Sequence, residues 1–534
     1  MKRSYRLFAL ASAIIAGFGV AGLGLTQQAE ALSRGGKMVY ARNADSLFLD
    51  PVLLERNVDI WILTNLYDTL LEPAADGKTI VPGLATGYEV SPDGLTFTLK
   101  LRQGVKFSDG SPLTLDDVKW SLDRARDPNN GAWNFTLSSV DSIETKGDDT
   151  IILHLKHPDP ALAPALAIFN SSIMPKKEFE ATAGATDADK AKAFGEHPVG
   201  TGPFVLDSWQ RGTVMVLKRN PNYWQTGEDG KPLPYLDELD FQIIPDDATR
   251  ILKLQAGEVD GAEFIPYSRV AELKADPNLN MELYPSTKVN YLTLNVRPKL
   301  KNGTDNPLAD PKVRQALNYA LDKNAIIKVV TFDVGKPMQS YMSSSTPLFH
   351  GTDPLYAFDL DKAKSLLKEA GKDGGFALSA MALAGSADDT ATLSTMQQMW
   401  APLGVNLSIE QADNATMVSR YDADDFQIQT GYWTDDIADP SEITSYFAYY
   451  PTTESQHSGY NDPTIQDLFV QSGKEPDKAK RAEMYAKIQD TYNQAAPIIY
   501  MFESPYTVAL RKSVQGFEQI PLGNNIFTRT HIEK

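Results

Sequence analysis

The sequence predicts a mixed α/β protein built from several lobes. Strand-like and helix-like stretches alternate along the chain, which is typical of sheets covered by helices. The chain has 534 residues, and at about 150 residues per domain this leaves room for roughly three lobes with a substantial core. It contains no heptad pattern, solenoid period or low-complexity tract. These observations favour a globular α/β protein over a coiled coil or a repeat protein.

The first residues predict a secretory signal. A basic segment at 1–6 precedes an apolar run at 7–25, and small residues stand at both ends of 29–31, where a signal peptidase reads. A permanent membrane anchor is the alternative, because the run is nearly long enough to span a bilayer. The Ala and Gly content of the run and the cleavage site favour a signal peptide over residues 1–31. We expect the mature chain to begin at Leu32.

The first clear strand and helix follow each other. Apolar and polar residues alternate over 95–101 after a Pro-Asp-Gly turn, which predicts a half-buried strand. Thr114 and Asp117 have the spacing of a capping box, which indicates a helix start. The apolar face of this helix consists of Leu115, Val118, Leu122 and Ala125.

Three later helices are predicted by the same reasoning. Asp310 and Pro311 form a cap followed by proline at the first helical position. A second helix is expected over 360–370, with Gly371 as its stop. The segment 477–494 is amphipathic, with Ala482, Tyr485, Ile488 and Tyr492 on one face. The buried stripe of the first of these helices is expected to be Val313, Ala316, Leu317, Ala320 and Leu321.

Charge and cysteine content exclude several classes of function. The chain carries 51 Lys and Arg against 69 Asp and Glu, a net charge of −18, which disfavours binding to nucleic acid or to anionic membranes. The absence of cysteine excludes disulfides, thiolate metal sites and cysteine nucleophiles. It also excludes a lipidated cysteine, so a secreted form would be untethered. We therefore expect the periplasm of a Gram-negative cell.

The sequence contains no convincing catalytic or metal-binding motif. Ser365 and Lys368 have the spacing of a serine–lysine pair, but they lie in a lysine-rich helix that a solvated surface explains. No phosphate-binding loop, His-Glu-x-x-His or Gly-x-Ser-x-Gly pattern is present, and the six histidines are scattered. We expect no enzymatic activity, no cofactor and no metal site.

The segment 431–440 is the most unusual local sequence. Tyr432 and Trp433 stand directly before the paired carboxylates Asp435 and Asp436. A carboxylate beside aromatic walls can hold an ammonium group through a charge-assisted hydrogen bond. An acidic surface loop with one packed tryptophan explains the same residues equally well, so chemistry alone leaves both readings open.

Several segments resemble, in the same order, the extracellular solute-binding proteins of family 5. These are the dipeptide-, oligopeptide- and nickel-binding components of ABC importers. The most specific match is "GLATGYEVSPDGLTFTLKLRQGVKFSDGSPLTLDDVKWSLDRARDP" at 83–128. The other matching segments are 49–72, 197–224, 254–261, 310–330 and 431–440. The resemblance covers nearly all of the mature chain.

This resemblance implies a two-lobed periplasmic-binding-protein fold (type II, cluster C-like) with an extra domain inserted in the first lobe. The implied boundaries are 32–72, 203–291 and 504–534 for lobe I, 73–202 for the inserted domain, and 292–503 for lobe II. It also implies a monomer that binds a peptide by hinge closure. The membrane permease, and through it the ATPase subunits, would then be its partners.

The resemblance further implies a ligand anchor. In peptide binders of this family, an aspartate three residues after a tryptophan holds the α-amino group of the ligand. Counting from Trp433 selects Asp436, which we favour, whereas counting from Gly431 selects Asp435. Trp433 and Tyr432 would form walls of the cleft. The alternatives are an importer component for an opine, an oligosaccharide or a metal chelate, an amidase or peptidase, and a chaperone.

Overall fold

The computed structural model describes residues 33–54 and 56–533, which form a mixed α/β structure. The predicted signal segment 1–31 lies outside the described residues. Three large sheets organise the described chain, with seven, six and four strands. Each sheet is covered by its own hydrophobic cluster.

The seven-stranded sheet combines strands from distant parts of the sequence. Its central strand, Lys37–Arg42, runs parallel to Glu238–Ile243 on one side and to Gly261–Glu263 on the other. The remaining neighbours pair antiparallel. In spatial order the strands are Leu279–Tyr284, Tyr506–Arg511, Gly261–Glu263, Lys37–Arg42, Glu238–Ile243, Val214–Arg219 and Phe204–Gln210.

The six-stranded sheet is built from the second half of the chain. In spatial order its strands are Lys336–Pro337, Ile498–Glu503, Val289–Leu294, Ile428–Trp433, Phe376–Leu383 and Val405–Ala412. All six residues of Ile498–Glu503 are buried, as expected for a strand covered on both faces. The helices Pro311–Tyr319, Lys323–Val330, Leu360–Glu369 and Ala387–Trp400 contribute to the core beside this sheet.

The four-stranded sheet is antiparallel and local in sequence. Its strands, in spatial order, are Ala85–Val90, Thr96–Leu101, Thr150–Leu155 and Val140–Lys146. Helix Leu115–Ala125 packs on it through Val118, Leu122 and Ala125. Two-stranded ribbons pair Leu71–Pro73 with Ile80–Pro82, Val514–Gln515 with His531–Ile532, and Glu518–Gln519 with Asn525–Ile526.

The remaining helices connect and cover these sheets. They are Asn57–Leu63, Leu162–Ala165, Lys176–Ala181, Asp187–Glu196, Asp247–Ala256, Tyr267–Lys274, Asn414–Asp422, Ser441–Phe447, Tyr450–Thr453, Pro463–Ser472 and Lys478–Ala495. Within residues 33–54 and 56–533, no helix has the length and apolar character needed to cross a membrane.

The elements expected from the sequence are present. The capping box forms in both directions between Thr114 and Asp117. Asp310 caps the helix that begins at Pro311, and the third helix ends one residue before Ala370. The helix at 311 stops at Tyr319, so Ala320 and Leu321 are buried in the turn after it rather than in the helix itself.

The chain crosses twice between the seven-stranded and six-stranded sheets. One crossing is the short segment 285–288, between Leu279–Tyr284 and Val289–Leu294, and the other is 504–505. Neighbouring strand ends therefore belong to different sheets. This arrangement places Lys288 and the residues that follow Trp433 at the edge of one sheet, beside the other.

Candidate functional site

Three adjoining cavities lie where the sheets meet, and together we call them the cleft. Their volumes are about 320, 410 and 450 Å³. The 410 and 450 Å³ cavities share Asn57, Tyr432 and Thr434. The 410 and 320 Å³ cavities share Asp436. The segment 432–436 therefore lines all three cavities.

The alternation of a strand sets the direction of each aromatic side chain. Strand Ile428–Trp433 pairs antiparallel with Val289–Leu294, with Trp433 opposite Val289. Successive side chains point to opposite faces. Tyr432 is 61% exposed in the cleft, whereas Trp433 is only partly exposed and packs against Tyr446 with ring centroids 4.6 Å apart.

Asp435 points into the protein and is 0% exposed. Thr346 Oγ1 donates a hydrogen bond to its Oδ2 over 2.6 Å, and Trp433 Nε1 donates to its Oδ1 over 3.0 Å. Its own backbone N–H donates to Thr287 Oγ1 over 2.8 Å. Burial raises the pKa of this carboxyl to about 7. Both of its oxygens are thus occupied by structural donors.

Asp436 points the other way and lines two of the cavities. Among the described residues, no group donates a hydrogen bond to its carboxyl and no cation pairs with it. Burial raises its pKa to about 8, and the neighbouring charge of Asp435 adds to this shift. A half-buried carboxyl without a donor is available to a group that enters the cleft.

Buried side chains fix the loop that carries Asp436. Glu442 is 2% exposed and accepts the backbone N–H groups of Asp436 and Ile437 over 2.9 and 2.8 Å. Asp439 receives both arms of the Arg481 guanidinium over 2.6 and 2.8 Å. Burial opposes ionisation of Asp439, but its ion pair with Arg481 outweighs that effect and lowers the pKa. The loop is held at both ends before any ligand binds.

Aromatic side chains from the seven-stranded side face this loop. Trp61 stacks on Phe264 with ring centroids 5.7 Å apart, and Tyr506 meets Trp61 edge-on at 5.2 Å. Phe264 has a φ of +51°, a strained conformation that is frequent at binding sites. The buried Arg250 donates to its carbonyl oxygen over 3.0 Å, which stabilises this conformation.

The 320 Å³ cavity extends from Asp436 to a second pair of acids. Trp224 Nε1 donates to Asp68 Oδ2 over 2.8 Å, and burial raises the pKa of Asp68 to about 7. Burial, followed by the charge of Asp68, raises the pKa of Glu72 to about 8. This end of the cleft is therefore acidic.

The structure brings all four sequence-predicted residues to one edge of the six-stranded sheet. It separates the two aspartates, because Asp435 is enclosed and Asp436 faces the cleft. Sequence reasoning missed Asn57, Trp133, Phe135, Lys288 and Glu442, which line the cleft from separate segments. No local pattern marks them, because only the fold brings them together.

A metal site is not formed by the part of the chain that the structure describes. Over residues 33–54 and 56–533, no group of three His, Asp or Glu side chains could hold an ion.

The family model for bacterial extracellular solute-binding proteins, family 5 Middle, matches residues 79–455. The chain belongs to this family. The "Dipeptide-binding protein" of Escherichia coli (strain K12) is 30% identical over 492 residues, covering 88% of this chain and 89% of the relative. The "Glutathione-binding protein GsiB" of Escherichia coli O1:K1 / APEC is 30% identical over 453 residues, covering 82% and 83%.

Solved structures of family 5 proteins share the fold. HbpA2 from Haemophilus parasuis has a TM-score of 0.80 at 28% identity, covering 93% of this chain and 100% of that one. DppA from Helicobacter pylori in complex with peptide STSA gives 0.77 at 26%, covering 94% and 99%. AgaA in complex with agropinic acid from A. tumefaciens R10 gives 0.74 at 27%, covering 93% and 99%.

These comparisons confirm the two-lobed fold and the family that the sequence segments indicated. Family 5 consists of solute-binding proteins of ABC importers rather than enzymes, and in Gram-negative bacteria they are periplasmic. The cleft described above is the place where such a protein would hold its solute.

Proposed function

We propose that the chain captures short peptides in the periplasm and delivers them to the permease of an ABC importer. The observation that carries this proposal is Asp436, a carboxyl without a donor among the described residues, set in an aromatic cleft. A peptide α-ammonium supplies the hydrogen bonds and the charge that this carboxyl lacks. The dipeptide- and glutathione-binding relatives, and the peptide complex of DppA, support a peptide ligand.

In this proposal the site residues have different roles. Asp436 holds the ammonium group, and Tyr432 and Trp433 form walls beside it. Asp435 keeps Trp433 in place through its hydrogen bond to Nε1 and does not itself contact the ligand. The assignment of the anchor therefore depends on which aspartate has free oxygens.

We also propose the mechanical consequences of the two-lobed fold. The crossings at 285–288 and 504–505 act as the hinge, and a ligand that contacts both lobes favours the closed form that the permease recognises. The Asn57 Nδ2 to Thr434 Oγ1 hydrogen bond of 3.0 Å bridges the cleft in this way. The domain boundaries given above, a monomeric state and cleavage before Leu32 remain part of the proposal.

The test is to recover the natural ligand. The chain, expressed with its leader in a Gram-negative host, is purified from the periplasm under gentle conditions, and small molecules released by denaturation are identified by mass spectrometry. Short peptides with free amino termini are the expected result. Synthetic peptides and their N-acetylated forms then serve as a matched pair, because acetylation removes only the ammonium. Equal binding of the two forms would contradict the role of Asp436.

A non-peptide solute is the second candidate. The structure of AgaA with agropinic acid supports it, since that protein shares this fold with an opine in its cleft. Release of an opine or a chelate from the purified protein would keep the importer role and replace the peptide. Intact peptide after prolonged incubation would exclude a peptidase.

A further inference from the structure

Lys288 is an unpaired cation inside the cleft. It is partly buried and stands directly before strand Val289–Leu294. Its Nζ lies 4.8 Å from the centroid of the Tyr432 ring, and it lines the 450 Å³ cavity. Within residues 33–54 and 56–533, no carboxylate lies within 4.0 Å of its Nζ and no oxygen accepts a hydrogen bond from it.

The position of this ammonium disfavours folding unless an anion is near. Burial lowers the pKa of Lys288, and the charge of Asp388 opposes this shift without contacting the ammonium. Charged side chains that leave water are nearly always paired, because an isolated charge costs free energy in a low-dielectric site. The stacked ring of Tyr432 recovers only part of that cost. The missing partner is an anion that occupies the cavity.

Lys288 and Asp436 are close enough to hold the two ends of one small ligand. Val289 lies opposite Trp433, so Lys288 lies beside Thr434, two residues before Asp436. One cross-strand step of about 5 Å and two residues of extended chain, about 7 Å, limit their Cα separation to about 12 Å. Their side chains shorten or extend this span. It suits a peptide of two to four residues.

We propose that Lys288 binds the C-terminal carboxylate of the peptide whose amino terminus Asp436 holds. Arg56 lines the same cavity from the opposite wall and has no ion pair among the described residues, so it adds positive potential at this end. The cleft is then bipolar, with Asp68, Glu72 and Asp436 on the acidic side. The inference rests on the proposed function for the identity of the ligand.

The experiment compares di-, tri- and tetraalanine that have free carboxyl termini with the same peptides as C-terminal amides. Calorimetry with the wild-type mature chain should show that the best-bound free acid binds about tenfold or more tightly than its amide. Lys288→Met should lose this preference, whereas Lys288→Arg should keep it. Lys328→Met removes the same charge from an exposed position outside the cleft and serves as the matched control.

The possible outcomes separate the carboxylate site from the peptide function. A preference for the free acid that survives in Lys288→Met overturns the site, and so does a wild type that binds acid and amide equally. Thermal unfolding of Lys288→Met at or above the wild-type temperature shows that a loss of preference does not come from misfolding.

A second probe judges the site if none of the peptides binds the wild type, in which case the peptide function fails. Succinate and glutarate are then the carboxylate probes in thermal-shift measurements. Stabilisation of the wild type and of Lys288→Arg, but not of Lys288→Met, supports the carboxylate site. Equal behaviour of all three proteins overturns it.

Discussion

The two sides of the segment 432–442 differ in how their polar groups are satisfied. On the inner side, Asp435, Asp439 and Glu442 are buried and each accepts identified donors. On the cleft side, Asp436 accepts none among the described residues, and Lys288 near it has no counterion there. The inner side already has its partners, whereas the cleft side has polar groups that only a ligand can satisfy.

This difference shows how neighbouring residues of the same type acquire separate roles. Asp435 and Asp436 are chemically identical, and both have a raised pKa because of burial. Extended backbone turns consecutive side chains to opposite sides, so one carboxyl meets Thr346 and Trp433 and the other meets the cavity. If this division is correct, inner-side substitutions reduce stability and cleft-side substitutions reduce binding.

The largest expected effect is on the inner side. Arg481→Ala leaves Asp439 buried without its countercharge, and breaking such a pair costs about 3–5 kcal/mol of unfolding free energy. Urea unfolding followed by tryptophan fluorescence measures the loss. Arg420→Ala, which removes a surface pair with Glu410, is the control and should cost no more than about 1 kcal/mol. Similar losses in both variants would break the comparison.

On the cleft side, Asp436→Asn should weaken binding of an amine-bearing peptide by about 10- to 100-fold, the value of a charge-assisted hydrogen bond of about 1.5–3 kcal/mol. Its thermal stability should not fall, because the variant removes a half-buried carboxyl that has no donor. Asp435→Asn is the matched variant and should show mainly a loss of stability. Binding lost only in Asp435→Asn would reverse the assignment of the anchor.

A smaller inner-side effect is expected for Thr346→Val. This change removes the donor to Asp435 Oδ2 with little change in shape, and an unsatisfied buried acceptor costs about 1–3 kcal/mol. Differential scanning fluorimetry should detect the lower melting temperature. Thr464→Val, at an exposed helix position, should change stability by no more than about 0.5 kcal/mol. An unchanged Thr346→Val would show that Asp435 does not need this donor.

The smallest effect is the pH dependence of binding. Asp436 has a pKa of about 8 in the free protein and must ionise to hold an ammonium. Affinity for a peptide should therefore rise as pH increases from 6 towards 8, by up to about tenfold per unit. Above about 8 the ligand amine itself loses its proton. Calorimetry across this range checks the slope, which Asp436→Asn should abolish.

The stability of the free protein should change in the opposite direction. The folded pKa values of Asp435 and Asp436, about 7 and about 8, exceed the unfolded value of about 3.9. The folded state therefore binds more protons between about pH 4 and 8, and these groups lose their stabilising contribution as pH rises through that window. A melting temperature of the ligand-free protein that increases from pH 6 to 8 would contradict these shifts, unless another group dominates in Asp436→Asn as well.

The sequence by itself determined the local elements and the family. Capping residues, alternation and helix stripes depend on neighbours a few positions apart, which is why the helix starts at Thr114 and Asp310 could be read directly. The ordered segments around 83–128 indicated the two-lobed fold before any contact was known. Their information is local or linear, so no tertiary structure is needed to find it.

Only the tertiary structure decided the composition of the cleft. The choice between Asp435 and Asp436 depends on Thr346 and Thr287, which lie 89 and 148 residues away in sequence. Asn57, Phe264 and Lys288 carry no motif, and they meet because the chain crosses twice between the sheets. Burial and the supply of hydrogen-bond donors are properties of packing, and packing decides which carboxyl is structural and which faces the cleft.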